Sequence, residues 1–119
     1  DYADAHNNLG LNYGQSGQYK EAITSFKEAI RIKPDFALPN LGLGNNYYNL
    51  GQYQDAIASY KEAIRLSSDD HEGYKRLGRA YYKLGRYQEA IAPLQEAIRL
   101  SPDILSQIYI SDTYKNTVL

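Results

Sequence analysis

Residues 40–63 read NLGLGNNYYNLGQYQDAIASYKEA, and nearly the same stretch occurs once before and once after it. The copies are 34 residues apart, since Leu9, Leu43 and Leu77 are in phase (43 − 9 = 34 and 77 − 43 = 34). Further in-phase sets are Gly10, Gly44 and Gly78; Tyr13, Tyr47 and Tyr81; Gly17, Gly51 and Gly85; Ala22, Ala56 and Ala90. A period of roughly 20–50 residues indicates stacked units that share one continuous core.

Each unit has the pattern of two amphipathic helices. In the first unit Ala5, Leu9 and Tyr13 are four residues apart and lie on one stripe of a helix. Gly17 interrupts the pattern, as helix-ending glycines do. Pro34 ends the second helix because its ring clashes with a preceding carbonyl group. The apolar face of this second helix comprises Ala22, Ile23, Phe26, Ala29 and Ile30.

Small residues mark the places where two helices must approach closely. At positions such as Gly10, a larger side chain would force the pair apart at a cost of roughly 1–3 kcal/mol. We expect Asp35 to cap the first helix of the second unit. In the third unit Asp69 and Glu72 have capping-box spacing, so we expect Asp69 to cap its first helix. Pro93 lies inside a predicted helix and removes one hydrogen bond. We therefore expect a kink in the second helix of the third unit and looser packing around Leu94.

This 34-residue pattern resembles the tetratricopeptide repeat (TPR) family over about residues 3–104. The resemblance implies an all-α fold: a right-handed superhelical α-solenoid with the first helix of each repeat on its concave side. It divides the single domain, residues 1–119, into three helix-turn-helix repeats and a C-terminal capping helix. Their expected ranges are 3–36, 37–70, 71–104 and, for the cap, 105–116. The alternative for this last segment is the altered start of a fourth repeat, with Asp112 where Gly44 and Gly78 have glycine.

The start of the chain predicts a fragment of a longer protein. The chain has no methionine, and Asp1 is in phase with the boundary residues Asp35, Asp69 and Asp103. We therefore expect that it was cut from that protein at a repeat boundary. The cellular compartment stays unknown on this basis, with the cytoplasm as the default.

Composition argues against several classes of function. With no cysteine, the chain has no disulfide, thiolate zinc site or cysteine nucleophile. The net charge of −1 argues against nucleic-acid binding, and no apolar run approaches the ~20 residues of a membrane-inserted helix. His6 and His71 have no neighbouring partners for a catalytic or metal-ligating set. We expect no enzyme activity, no cofactor and no metal.

The concave face is the predicted binding site, because repeat packing does not dictate its residues. Lys75, Arg79 and Lys83 form a cationic stripe there that could hold a carboxylate. An alternative left open is a solvated basic face on which Glu72 pairs with Lys75 or Arg76. The peptide-binding candidates are Asn7, Leu11, Leu38, Leu41, Asn45, Tyr48, Asn49, Lys75, Arg79, Tyr82 and Lys83, with Asp4, Gln15 and Glu72 beside them.

The family includes a clamp for the acidic C-termini of heat-shock chaperones, which takes two lysines, two asparagines and an arginine. At the matching positions this chain has Asn7, Leu11, Gly42, Glu72 and Arg76. Only Arg76 agrees, and Glu72 would repel a carboxylate. The resemblance therefore does not extend to chaperone-tail binding.

The sequence predicts a non-enzymatic scaffold that binds a protein or peptide segment with an acidic or C-terminal carboxylate group. One alternative is a self-assembling module, a homo-oligomer joined end to end or with the tail of one copy in the groove of the next. The tail residues available for that are Ile104, Leu105, Ile108 and Val118. Another alternative is a substrate-presenting segment of a larger enzyme.

Overall fold

The computed structural model describes residues 1–117, and these residues form seven α-helices without a strand. The helices are α1 Tyr2–Gln15, α2 Tyr19–Ile32, α3 Ala37–Asn49, α4 Tyr53–Leu66, α5 His71–Lys83, α6 Tyr87–Leu100 and α7 Ile104–Thr117. The predicted all-α helical repeat fold is therefore confirmed. Val118, which the self-assembly alternative includes, lies outside the described residues.

The turns inside the helix pairs are built on glycines, as the sequence predicts. Gly17 follows the end of α1 and has φ +77°, a left-handed backbone conformation that glycine adopts without steric cost. Gly51 and Gly85 have φ +76° and +74° at the corresponding turns. The helix α2 ends at Ile32, two residues before Pro34.

Two predicted helix caps are wrong. The helix α3 follows Phe36 and has no side-chain cap, so Asp35 does not cap it. At the start of α5 the cap is Asp70, which accepts a 3.1 Å hydrogen bond from the Gly73 N–H group. Asp69 instead accepts a hydrogen bond from the Ser67 hydroxyl group, which holds it in the preceding turn.

The predicted loosening around Pro93 is also wrong. The helix α6 runs through Pro93 without interruption. Leu94 is fully buried, and a Cβ added at Gly78 would lie only 2.6 Å from its Cγ. A Cβ added at Gly44 would likewise lie 2.6 Å from Cε1 of Tyr60. Glycine is required at both positions because the partner side chain occupies the space of a Cβ.

The odd-numbered and the even-numbered helices form two layers, which differ in how closely successive helices approach one another. Successive odd-numbered helices approach one another, whereas within residues 1–117 the helices α2, α4 and α6 make no such contacts with one another. The array therefore curves toward α1, α3, α5 and α7, which we call the inner layer. The whole is elongated, with extents of 48 × 26 × 21 Å. The repeat boundaries and the superhelical hand stay predictions.

The helix α7 packs on α6 and on α5. Asp103 fixes its start, because its carboxylate accepts a 2.6 Å hydrogen bond from the Ser106 N–H group. This bond is the main reason why the pKa of Asp103 lies below its usual value. Ser106 and Thr113 are its fully buried residues, and its half-buried Tyr109 and Ile110 pack against the hydrophobic core.

Candidate functional site

A recess of about 240 Å³ opens on the inner layer between α3 and α5. We call it the arginine recess. Its lining residues are Asn45, Tyr48, Asn49, Tyr60, Arg76 and Arg79. Four of them were predicted from the sequence as peptide-binding residues, whereas Tyr60 and Arg76 were not.

Tyr60 sets the orientation of Asn45 in this recess. Its hydroxyl group donates a 2.7 Å hydrogen bond to Asn45 Oδ1. Burial raises the pKa of the Tyr60 phenol, so the hydroxyl keeps its proton and remains available as a donor. Asn45 Nδ2 makes no hydrogen bond within residues 1–117 and can donate to a ligand.

Arg79 is held by two aromatic rings. Its guanidinium carbon lies 5.6 Å from the ring centroid of Tyr48 and 5.1 Å from that of Tyr109 in α7. Within residues 1–117 Arg79 has no carboxylate partner, and its buried Nε has no hydrogen-bond acceptor. The buried hydroxyl group of Tyr48 is also unpartnered there. The recess thus combines a positive charge with unmatched polar groups.

The other cations of the predicted stripe are not equivalent to Arg79. Lys75 Nζ lies 2.9 Å from Glu72 Oε1 and 3.8 Å from Asp103 Oδ2, and its side chain is only 14% exposed. Arg76 Nε lies 3.3 Å from the other Glu72 oxygen. The alternative in which Glu72 pairs along its own helix therefore holds for these two residues. Lys83 is exposed and makes no salt bridge within residues 1–117.

Glu72 is ionised because of these neighbours. Its partial burial on its own raises the pKa of the carboxyl group. The hydrogen bond and charge of Lys75, together with the charge of Arg76, lower the pKa of Glu72 further than burial raises it. The net pKa is below its usual value, so Glu72 stays negative and neutralises part of the charge at this end of α5.

A second recess of about 360 Å³ lies at the start of α3 and α5 and has an apolar floor. We call it the leucine pocket. Leu38 is 60% exposed there, and Leu41 packs against the core. The lining residues are Ala37, Leu38, Leu41, Ser67, Asp69, Asp70, His71 and Glu72. Its rim is therefore acidic, in contrast to the arginine recess.

A third recess of about 170 Å³ connects α3 to α1. Its lining residues are Leu11, Gly14, Gln15, Phe26, Gly42, Asn45, Asn46 and Asn49. Because Asn45 and Asn49 line both this recess and the arginine recess, the two form one strip across the inner layer. Exposed Leu11 supplies apolar surface at the α1 side.

Asn7 and Tyr82, the remaining predicted residues, line none of these three recesses. Asn7 is buried, at 6% exposure. Tyr82 makes edge-to-face contacts with Tyr87 and Tyr109, at centroid distances of 5.3 and 5.5 Å. The predicted peptide-binding residues did not include Tyr60 and Arg76, which line the arginine recess, or Tyr109, which contacts Arg79. The one available signal was the hydroxyl of Tyr60 where the first repeat has Phe26.

Phe26 also explains one departure from the chaperone clamp. Gly42 occupies a position where the clamp has asparagine. A Cβ added there would lie 2.5 Å from Phe26 Cζ, so a side chain fits only if this buried ring moves. Glu72, at another clamp position, forms salt bridges with Lys75 and Arg76.

Within residues 1–117 no group of three or more His, Cys, Asp or Glu residues could hold a metal ion. None of the described helices is long and apolar enough to cross a membrane.

Family comparison agrees with this repeat architecture. A family model described as "Tetratricopeptide repeat" matches residues 41–103, and one described as "TPR repeat" matches residues 10–51. The chain belongs to the tetratricopeptide repeat family. A comparison with curated proteins gives no match.

Solved structures of TPR domains share this fold at low sequence identity. The first TPR of Spaghetti (RPAP3), bound to the HSP90 peptide SRMEEVD, has a TM-score of 0.96 and 19% identity over 99% of this chain and 94% of its own. The Arabidopsis OM64 TPR domain has a TM-score of 0.92 and 22% identity over 96% of this chain and 95% of its own. The second TPR domain of human RPAP3, in complex with the HSP70 peptide SGPTIEEVD, has a TM-score of 0.91 and 22% identity, with 95% of each chain covered.

Proposed function

We propose that this domain is a non-enzymatic scaffold that binds a peptide segment of a partner protein along its inner layer. The observation that carries the proposal is the strip of recesses that runs from α1 to α5 through Asn45 and Asn49. Amide side chains both donate and accept hydrogen bonds, so they can pair with the backbone of a bound segment. Exposed Leu11 and Leu38 provide the apolar surface beside them.

The similar structures support a peptide as the class of ligand. Two of them, the first TPR of Spaghetti and the second TPR domain of human RPAP3, were solved with chaperone peptides. The chaperone peptides themselves are not proposed as ligands here. Gly42 and Glu72 replace the residues with which the clamp holds them.

The test is a double variant, Asn45→Ala with Arg79→Glu, compared with the parent domain in a pull-down of the native partner. We expect the variant to lose the partner while circular dichroism and the unfolding midpoint show that the helices persist. A matched control makes the same types of change on the outer helix α6, Gln88→Ala with Arg99→Glu, and should retain the partner. Unchanged capture by a folded Asn45/Arg79 variant would show that the inner layer is not the site.

A second candidate function is self-assembly through the ends of the array. Leu9 is 42% exposed at the first end, whereas Leu43 and Leu77 at the same repeat position are 7% and 6% exposed. At the other end α7 exposes Ile104 and Ile108. Analytical ultracentrifugation over a concentration series tests this candidate. A mass that rises with concentration supports it, and a strict monomer at the highest concentration contradicts it.

A further inference from the structure

The arginine recess and the leucine pocket have opposite chemistry, yet both lie between α3 and α5. Along α3 the pocket begins at Leu38 and the recess at Asn45. Seven residues of helix at 1.5 Å each place the two starts ~10 Å apart. An extended peptide advances about 3.1–3.4 Å per residue, so one segment spans this distance in about three residues.

The arginine recess is matched to a ligand that accepts hydrogen bonds and carries negative charge. Arg79 has no carboxylate partner within residues 1–117, and its Nε is an unmatched buried donor. The Tyr60 hydroxyl group donates a hydrogen bond to Asn45 Oδ1, so the amide nitrogen of Asn45 is the atom of that side chain that can donate to a ligand. A carboxylate offers two oxygens that accept several such bonds, and bonds to charged groups are the stronger kind.

The leucine pocket excludes the same group. Asp69, Asp70 and Glu72 line it, and Glu72 stays ionised beside Lys75 and Arg76. A carboxylate placed there would be repelled, whereas an aliphatic side chain would cover the exposed face of Leu38. The two recesses therefore select different chemical groups at two points of a bound segment.

We infer that the inner layer recognises a two-part motif: a carboxylate in the arginine recess and an apolar side chain about three residues away in the leucine pocket. This inference rests on the proposed peptide-binding function. The carboxylate is either an Asp or Glu side chain or the C-terminus of the segment. Tyr48 and Tyr109 hold Arg79 in position for it from α3 and α7.

The experiment selects random twelve-residue peptides displayed on phage with the whole 119-residue domain as bait. One library has the peptide flanked on both sides, and the other ends in a free C-terminus. We expect enrichment of an acidic residue, or of the free C-terminus, two to four positions from Leu, Ile, Val, Met or Phe. Enrichment in the flanked library assigns the carboxylate to a side chain, and enrichment confined to the second library assigns it to the C-terminus.

The enriched peptide is then synthesised with its carboxylate and as the matching amide. For the parent domain the amide should bind at least about tenfold more weakly. For Arg79→Gln the carboxylate and amide peptides should bind alike, because the group that distinguishes them is gone. Lys20→Gln is the control, since it removes an exposed cation of the outer helix α2, away from the recess, and should keep the difference.

A second variant covers the case in which Arg79→Gln does not fold. Asn45→Asp is nearly isosteric and still accepts the Tyr60 hydrogen bond, but it places a like charge in the recess. It should weaken the carboxylate peptide more than the amide peptide, because both lose the Asn45 N–H donor but only the carboxylate is repelled by the new charge. Enriched peptides without an acidic preference, or with one that these variants do not alter, overturn the two-part motif while peptide binding stands. If neither library enriches any peptide on the parent domain, both the motif and the proposed function are contradicted.

Discussion

The Tyr60 hydroxyl group donates a 2.7 Å hydrogen bond to Asn45 Oδ1, and this bond joins the buried core to the inner layer. Tyr60 is almost fully buried, and its ring also fills the space above Gly44. One side chain therefore takes part both in packing the second helix pair and in orienting an amide of the candidate site.

Replacing Tyr60 by Phe removes that hydrogen bond and keeps the ring. We expect the free energy of unfolding to fall by about 0.5–1.5 kcal/mol, the usual net value of such a bond. Urea denaturation measures this, and the ring itself should fit because Phe26 is buried at the equivalent position. Binding of a captured peptide should weaken as well, because Asn45 loses its fixed orientation. Unchanged stability and binding would contradict a role for the hydroxyl.

Gly44→Ala should destabilise the domain although alanine is the better helix former. The added Cβ would lie 2.6 Å from the Tyr60 ring, and overpacking of this kind costs roughly 1–3 kcal/mol. The control is Ala58→Gly on the exposed side of α4, which should cost about 1 kcal/mol through helix propensity alone. If alanine at position 44 raised the unfolding midpoint, the close contact described for Tyr60 would be wrong.

Leu9→Ala and Leu43→Ala make the same change at equivalent repeat positions and should differ in cost. Leu43 is buried between helix pairs, so its truncation should lower the unfolding free energy by about 2–5 kcal/mol. Leu9 is 42% exposed, so its truncation should lower the unfolding free energy by less than half as much. Equal losses in a monomeric sample, measured by urea denaturation, would show that burial does not separate the two positions.

Asp103→Ala should lower the unfolding free energy by about 0.5–2 kcal/mol at neutral pH, because α7 loses its N-terminal cap. The folded pKa of Asp103 is depressed, so its ionised form adds stability above its unfolded pKa. That contribution is lost as the pH falls through the lower folded value. The difference in unfolding free energy between the parent and the Ala variant should therefore narrow as the pH falls through that folded value in denaturant titrations. Asp103→Asn is the control, because asparagine caps about as well as aspartate and should retain most of the neutral-pH stability.

The arrangement of the helices was predictable because its causes are local and repeated. Gly17 and Pro34 end helices through backbone geometry, which needs no knowledge of distant residues. The caps were less predictable, since Asp69 and Asp70 are adjacent acidic residues and only one of them lies where its side chain reaches a free N–H group.

The candidate site was predictable only in outline. Position within the 34-residue period placed Asn45, Asn49 and Arg79 on one face, and the structure brings them around one recess. The same reasoning treated Lys75 as the equal of Arg79. Lys75 differs because Glu72 lies 2.9 Å away on the same helix, a pairing that the sequence offered as an alternative. Asp103, which is far along the chain, adds a second carboxylate at 3.8 Å that only the fold reveals.

The sequence by itself determined the helical repeat, the turn positions and the face open to a ligand, because a strict period makes each of them a matter of local spacing. Only the tertiary structure decided which polar groups on that face are already satisfied. Tyr109 reaches Arg79 from α7, and Tyr60 reaches Asn45 from α4. Such contacts depend on how separate helices pack, and the chemistry of the recess follows from them.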